Sequence, residues 1–79
     1  MDFDLTLYKF DDCPFCFKVM KYLEERGIKI PMKDIKKHPE FREELIQLGG
    51  KSQAPCLMIN GKALYESDDI IDWFEINWK

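Results

Sequence analysis

No stretch of the chain is long and apolar enough to span a bilayer, and the opening Met1-Asp2-Phe3-Asp4 lacks a basic-then-apolar leader pattern. A basic excess is missing too. Twelve Lys and Arg stand against 15 Asp and Glu, a net charge of −3, which removes the electrostatic footprint of a general nucleic-acid binder. Neither a membrane nor a nucleic acid is therefore an expected partner. Histidine occurs once, at His38, with no second ligand or base partner nearby in sequence. Cysteine occurs three times, an odd number that argues against a secreted disulfide framework and for a reducing, cytoplasmic setting. Linkers, repeats and low-complexity segments are absent. What remains is one foldable domain, residues 1–79, with 46% hydrophobic, 14% aromatic and 34% charged residues, near the lower size limit for a self-sufficient core.

The chain is organised around Lys9-Phe10-Asp11-Asp12-Cys13-Pro14-Phe15-Cys16. A cysteine pair at this spacing, between a strand and a helix, reads as a thioredoxin-like redox site. Pro14 suits a first helical turn, where its missing N–H would have no partner anyway. Cys13 then becomes the N-cap, its sulfur beside free backbone N–H groups at the positive end of the helix dipole. That setting favours a thiolate, the nucleophilic form. Cys16 lies one turn along the same face, within disulfide reach, so Cys13 is the expected attacker and Cys16 the resolver. Two plainer readings stand beside this one: buried thiols that merely pack, or half of a zinc site. The zinc reading would have to recruit Cys56 and His38, which form no second close pair.

Hydrophobic spacing supplies the rest of the order. Phe3 to Phe10 reads as a strand apolar on both faces, with Phe3, Leu5 and Leu7 opposite Tyr8 and Phe10. A helix follows from Pro14 to about Arg26, with Cys16, Val19, Met20 and Leu23 inward and Gly27 as its left-handed stop. Ile28 to Ile35 reads as an edge strand, since Pro31 cannot donate to a ladder, and a strand–helix–strand order implies a parallel pair. Pro39 to Leu48 reads as a second helix with Phe41, Leu45 and Leu48 inward, preceded by a solvent-facing His38. After the loop Lys51-Ser52-Gln53 come Ala54-Pro55 and the buried strand Cys56 to Ile59. Asn60-Gly61 is a strong hairpin signal, returning the chain through Lys62 to Tyr65. Ser67 is the expected cap of a last helix whose first turn holds Asp68 and Asp69, with Ile70, Ile71, Trp73, Phe74 and Trp78 docking on the sheet. The expected fold is α/β, a three-layer sandwich in the order β-α-β-α-β-β-α with a mixed four-stranded sheet.

On these residues the whole chain resembles the glutaredoxins, and its second half is similar to the N-terminal domain of glutathione transferases. Three pieces in the right order carry the resemblance: Cys13-Pro14-Phe15-Cys16 after the first strand, Ala54-Pro55 before the third, and Glu66-Ser67-Asp68-Asp69 opening the last helix. It implies a thioredoxin-like fold and a glutathione-dependent oxidoreductase that reduces glutathione mixed disulfides and protein disulfides. Glutathione would be a co-substrate, with no permanently bound cofactor and no metal; the partners would be glutathionylated or disulfide-bonded proteins, and the chain a monomer. It further implies a cis bond before Pro55, with the backbone of Ala54 turned towards an extended peptide. Ser67 and the amide of Asp68 would hold the γ-glutamyl carboxylate, with Glu66 or Asp69 facing its ammonium.

The chain also departs from the family pattern. The lysine common three residues before the first cysteine is Phe10 here, with Lys9 one position off and so on the opposite face. Lys51 is the expected substitute for binding the glycyl carboxylate. Phe15 keeps an apolar platform where tyrosine is common. Asp11 and Asp12 oppose a thiolate at Cys13, but exposed charges are screened and the helix end is expected to prevail. Cys56 is an additional thiol, read as packing or as a third redox group. Two alternatives stay open: a redoxin coupled to a thioredoxin reductase that ignores glutathione, and a module binding glutathione with an iron–sulfur cluster. A transferase would need a helical second domain that 79 residues do not accommodate.

Overall fold

The computed structural model describes residues 3–78. The elements follow the expected order: β1 (Leu5–Lys9), α1 (Pro14–Glu25), β2 (Met32–Asp34), α2 (Pro39–Gly49), β3 (Cys56–Ile59), β4 (Lys62–Tyr65) and α3 (Ser67–Asn77). The four strands form one mixed sheet in the order β2-β1-β3-β4. β1 pairs parallel with β2 and antiparallel with β3, while β3 and β4 form an antiparallel hairpin.

Both faces of the sheet are covered because β1 alternates apolar side chains to both sides. Leu5 and Leu7 join Val19 and Leu23 of α1, Leu57 of β3, and Ile70 and Phe74 of α3 in one core. Tyr8 points the other way, into a smaller core with Ile35, Leu45 of α2, Cys56 and Met58. The result is a thioredoxin-like sandwich, with α1 and α3 on one face and α2 on the other.

Several local expectations change. β1 is shorter than Phe3 to Phe10 at both ends, although Phe3 still packs edge-on against Trp73 with ring centroids 4.9 Å apart. β2 is only three residues, not Ile28 to Ile35. Gly27 turns the chain at φ 66°, and the ladder forms around Pro31, which offers its carbonyl to the Leu7 N–H (3.0 Å) but has no donor of its own. At this sheet edge Met32 faces solvent rather than the core, as does Leu48 on the last turn of α2. α3 is capped differently as well. Glu66, at φ 73°, occupies the N-cap without a side-chain cap bond, and Ser67 is the first helical residue, buried rather than capping. The hairpin follows expectation: Asn60 (φ 51°) and Gly61 (φ 84°) both adopt the positive φ of a type I′ turn.

Candidate functional site

Cys13 is the N-cap of α1, in extended conformation, with Pro14 in the first turn. Its Sγ accepts the Cys16 N–H at 3.2 Å, so one of the helix's unpartnered donors points at the sulfur. The same Sγ lies 3.8 Å from the carbonyl oxygen of Ala54, a geometry in which the thiol donates to the segment before β3. The Ala54–Pro55 peptide is cis.

The two sulfurs of the pair differ in surroundings. Cys13 keeps 5% exposure, while Cys16 is completely enclosed. Burial, and then the neighbouring Cys13 sulfur, push the Cys16 thiol up to about 12. Cys56, also fully buried and bare of any disulfide, is pushed up to about 11 by burial. It packs in the α2-side core.

A cavity of about 360 Å³ opens beside the cysteine pair, lined by Phe15, Gln53, Ala54, Pro55, Glu66, Ser67 and Asp68. That is within the range of small-molecule sites. α1 supplies Phe15, the loop before β3 supplies Gln53 to Pro55, and the start of α3 supplies the rest. No side chain caps α3, so its first N–H groups have no side-chain acceptor, and Glu66, Ser67 and Asp68 at this helix start line the cavity. Six residues proposed from sequence thus come together; Lys51 and Asp69 are not in the lining. The Lys51 ammonium sits 4.5 Å from the Tyr65 ring centroid, and its carbonyl accepts the Tyr65 hydroxyl at 2.9 Å. Asp69 is exposed on the first turn of α3. Gln53, from sequence alone only a loop residue, is also in the lining. Its Nε2 donates to the Glu66 carboxylate at 3.3 Å, and its place next to Ala54-Pro55 was the available signal.

Charge around the cysteines is paired. The Asp11 carboxylate meets the ammonium groups of Lys9 and Lys37, each at 2.9 Å, and these hold it down at about 2. Asp12 pairs with Lys36 at 3.1 Å, and Asp68 with Lys18. Lys9, 3.5 Å from the buried Asp34, is committed to this network. Phe10 is half-buried against the α2-side core. His38 is exposed at the start of α2, its ring 5.1 Å from that of Phe41. Among the described residues, no group of three or more His, Cys, Asp or Glu side chains is arranged to hold a metal ion. Nor is any helix there long and apolar enough to cross a membrane.

A family model described as Glutaredoxin matches residues 5–64, from the first strand to the hairpin. The chain belongs to the glutaredoxin family. Glutaredoxins are thiol–disulfide oxidoreductases. Glutaredoxin 3 of Escherichia coli K12 is 24% identical over 67 residues, 85% of this chain and 81% of that protein. Prostaglandin E synthase 2 of Danio rerio is 33% identical over 70 residues, 89% of this chain but only 18% of that protein. Among solved structures, glutathione transferase Omega 3C from Trametes versicolor superposes with a TM-score of 0.79 at 31% identity, over 92% of this chain and 33% of that one. The holo form of glutaredoxin C1 from Populus tremula x tremuloides superposes with a TM-score of 0.72 at 17% identity, over 94% and 76%, a likeness of fold.

Proposed function

We propose that this glutaredoxin-family chain is a glutathione-dependent dithiol oxidoreductase acting through Cys13-Pro14-Phe15-Cys16. The observation that carries the reading is a sulfur at a helix N-cap, 3.8 Å from the carbonyl oxygen of Ala54 before a cis proline, with Ala54 and Pro55 also lining a cavity that extends to an uncapped helix start. The Cys13 thiolate attacks the glutathione sulfur of a glutathionylated protein. The mixed disulfide breaks, the protein leaves as its thiolate, and Cys13 carries glutathione. A second glutathione thiolate attacks that glutathione sulfur, giving oxidised glutathione and regenerating Cys13. With a protein disulfide, Cys13 forms the mixed disulfide. Cys16 then loses its proton and attacks Cys13, and the substrate leaves fully reduced. The Cys13–Cys16 bridge is reopened by two glutathione molecules. Burial keeps Cys16 protonated, which slows this internal step and leaves time for glutathione to act instead.

In the bound state the glutathione cysteinyl portion extends along Ala54, beside Phe15 and Pro55. Its γ-glutamyl carboxylate takes the Ser67 hydroxyl and the Asp68 amide, and its ammonium faces Glu66, with Asp69 as the farther carboxylate. Lys51 serves the glycyl carboxylate only by leaving the Tyr65 ring. The same reading has the protein working as a monomer in the cytoplasm on glutathionylated or disulfide-bonded proteins. Cys13→Ser should abolish reduction of a glutathione mixed disulfide in a glutathione-coupled assay. Retention of most turnover would overturn the assignment, and turnover with a flavoprotein reductase but not with glutathione would select a thioredoxin-type partner instead.

A further inference from the structure

The turn before the reactive sulfur carries two adjacent carboxylates, Asp11 and Asp12, and both repel a thiolate and an anionic co-substrate such as glutathione. The chain does not leave them free. Lys9 at the end of β1 and Lys37 beyond β2 each reach Asp11 at 2.9 Å, and Lys36 reaches Asp12 at 3.1 Å. These lysines are themselves placed by Asp34, which is 8% exposed. Its Oδ1 accepts the N–H groups of Lys36 and Lys37, each at 2.9 Å. Its Oδ2 makes no hydrogen bond among the described residues and has only the Lys9 ammonium, at 3.5 Å. The β2–α2 loop is thus bent so that consecutive lysines face consecutive aspartates. The backbone repeats the join, since the Ile35 N–H donates to the Lys9 carbonyl at 2.9 Å and the His38 N–H to that of Asp34 at 3.1 Å. On the opposite side of the site, Lys18 on α1 cancels Asp68 on α3.

We propose that Lys36 and Lys37, set by Asp34 and completed by Lys9, are positioning residues. They hold the Asp11-Asp12 turn and cancel its charge, so that Cys13 accepts anionic sulfur reagents. The inference rests on Cys13 being the reactive sulfur. A basic group in its own right beside the cysteine is not needed, which accounts for Phe10 standing in the position before the turn.

The test compares a neutral and an anionic alkylating probe, iodoacetamide and iodoacetate, in wild type, Lys36→Gln/Lys37→Gln, Asp11→Asn/Asp12→Asn, and the fourfold variant. A charge-cancelling role predicts that the lysine variant lowers the iodoacetate-to-iodoacetamide rate ratio by about two- to fivefold, the scale of exposed charge interactions at low salt. The effect should shrink in 0.5 M salt at roughly the rate that screening over a few ångströms implies. The asparagine variant should move the ratio the other way, upward, and the fourfold variant should return it near the wild-type value, because two positive and two negative charges are then removed together. A merely structural role slows both probes equally and leaves the ratio unchanged. That result would overturn the proposal, as would a fourfold variant whose ratio stays as low as that of the lysine variant. Cys13→Ser as a control separates the two readings: alkylation that persists in it refutes Cys13 as the reactive sulfur, whereas a flat ratio with Cys13 reactive refutes only the lysine role.

Discussion

Exposing the native protein to a small alkylating reagent at pH 7.5 should label Cys13 and leave Cys16 and Cys56 nearly untouched. An ordinary cysteine with a pKa of about 8.5 is roughly one-tenth thiolate at that pH. Cys16, pushed up to about 12, is ionised to about 3 parts in 10⁵, roughly 3,000-fold less. Its thiolate is intrinsically the stronger nucleophile, and with a Brønsted slope near 0.45 that returns about 40-fold. Ionisation wins, leaving Cys16 about two orders of magnitude slower than an ordinary thiol before its complete enclosure slows it further. The same arithmetic for Cys56, at about 11, leaves it roughly 25-fold slow. In Cys13→Ser the smaller cause of the Cys16 elevation, its neighbour's sulfur, disappears. The larger cause, burial, stays, so labelling should remain slow. Peptide-resolved mass spectrometry after timed quenching reads all three sites. Label at Cys16 or Cys56 within tenfold of the Cys13 rate would refute the argument, because neither burial nor proton affinity would then be controlling reactivity.

Cys16→Ser should keep or raise the removal of glutathione from mixed disulfides, which needs one enzyme sulfur, while reduction of protein disulfides through the internal bridge falls sharply; equal losses in both assays would contradict the division of roles. Glu66→Ala with Ser67→Ala should weaken glutathione binding by about 1–3 kcal/mol for lost charge-assisted hydrogen bonds, with little change in the iodoacetamide rate at Cys13. Unchanged affinity by calorimetry would remove the start of α3 from the site. Asp34→Ala should destabilise the fold by about 2 kcal/mol at pH 7, since two amides lose a charged acceptor. The Lys37 amide foremost lowers the folded-state pKa of Asp34, so this contribution is present above the unfolded value near 4 and is lost as pH falls through the lower folded value. The wild-type advantage in urea titrations should therefore shrink as the pH is taken below the reference carboxylate value of about 4, and a gap that does not narrow with acid would contradict the sign. Phe74→Ala, which empties a site 1% exposed between Trp73 and Trp78, should cost about 3–5 kcal/mol, most of a small domain's stability, as followed by tryptophan fluorescence.

Local chemistry along the chain was sufficient for most of the fold. Period-two alternation in Leu5 to Tyr8 specified a strand covered on both sides, because each side chain's face follows from the pleat alone. Pro14 after Cys13 and Asn60-Gly61 between two apolar runs are likewise local instructions, and the helix start and hairpin stand where they put them. Pro14 in the first helical turn already made Cys13 the N-cap. Tertiary structure decided what local rules cannot reach. Met32 and Leu48 match an inward period but lie at a sheet edge and a helix end, where no neighbouring element covers them. Ser67 has the composition of a cap, yet the chain leaves β4 with Glu66 at positive φ, which moves the cap back one residue and buries the serine. The cavity joins Phe15, Gln53 and Ser67 from three segments that only the folded sheet brings together. The pairing of Asp11 and Asp12 with Lys37 and Lys36 spans some 25 residues of sequence, and depends on β1 and β2 lying side by side. Periodicity records which side of an element is apolar; which charge meets which is set by the parallel register of two strands.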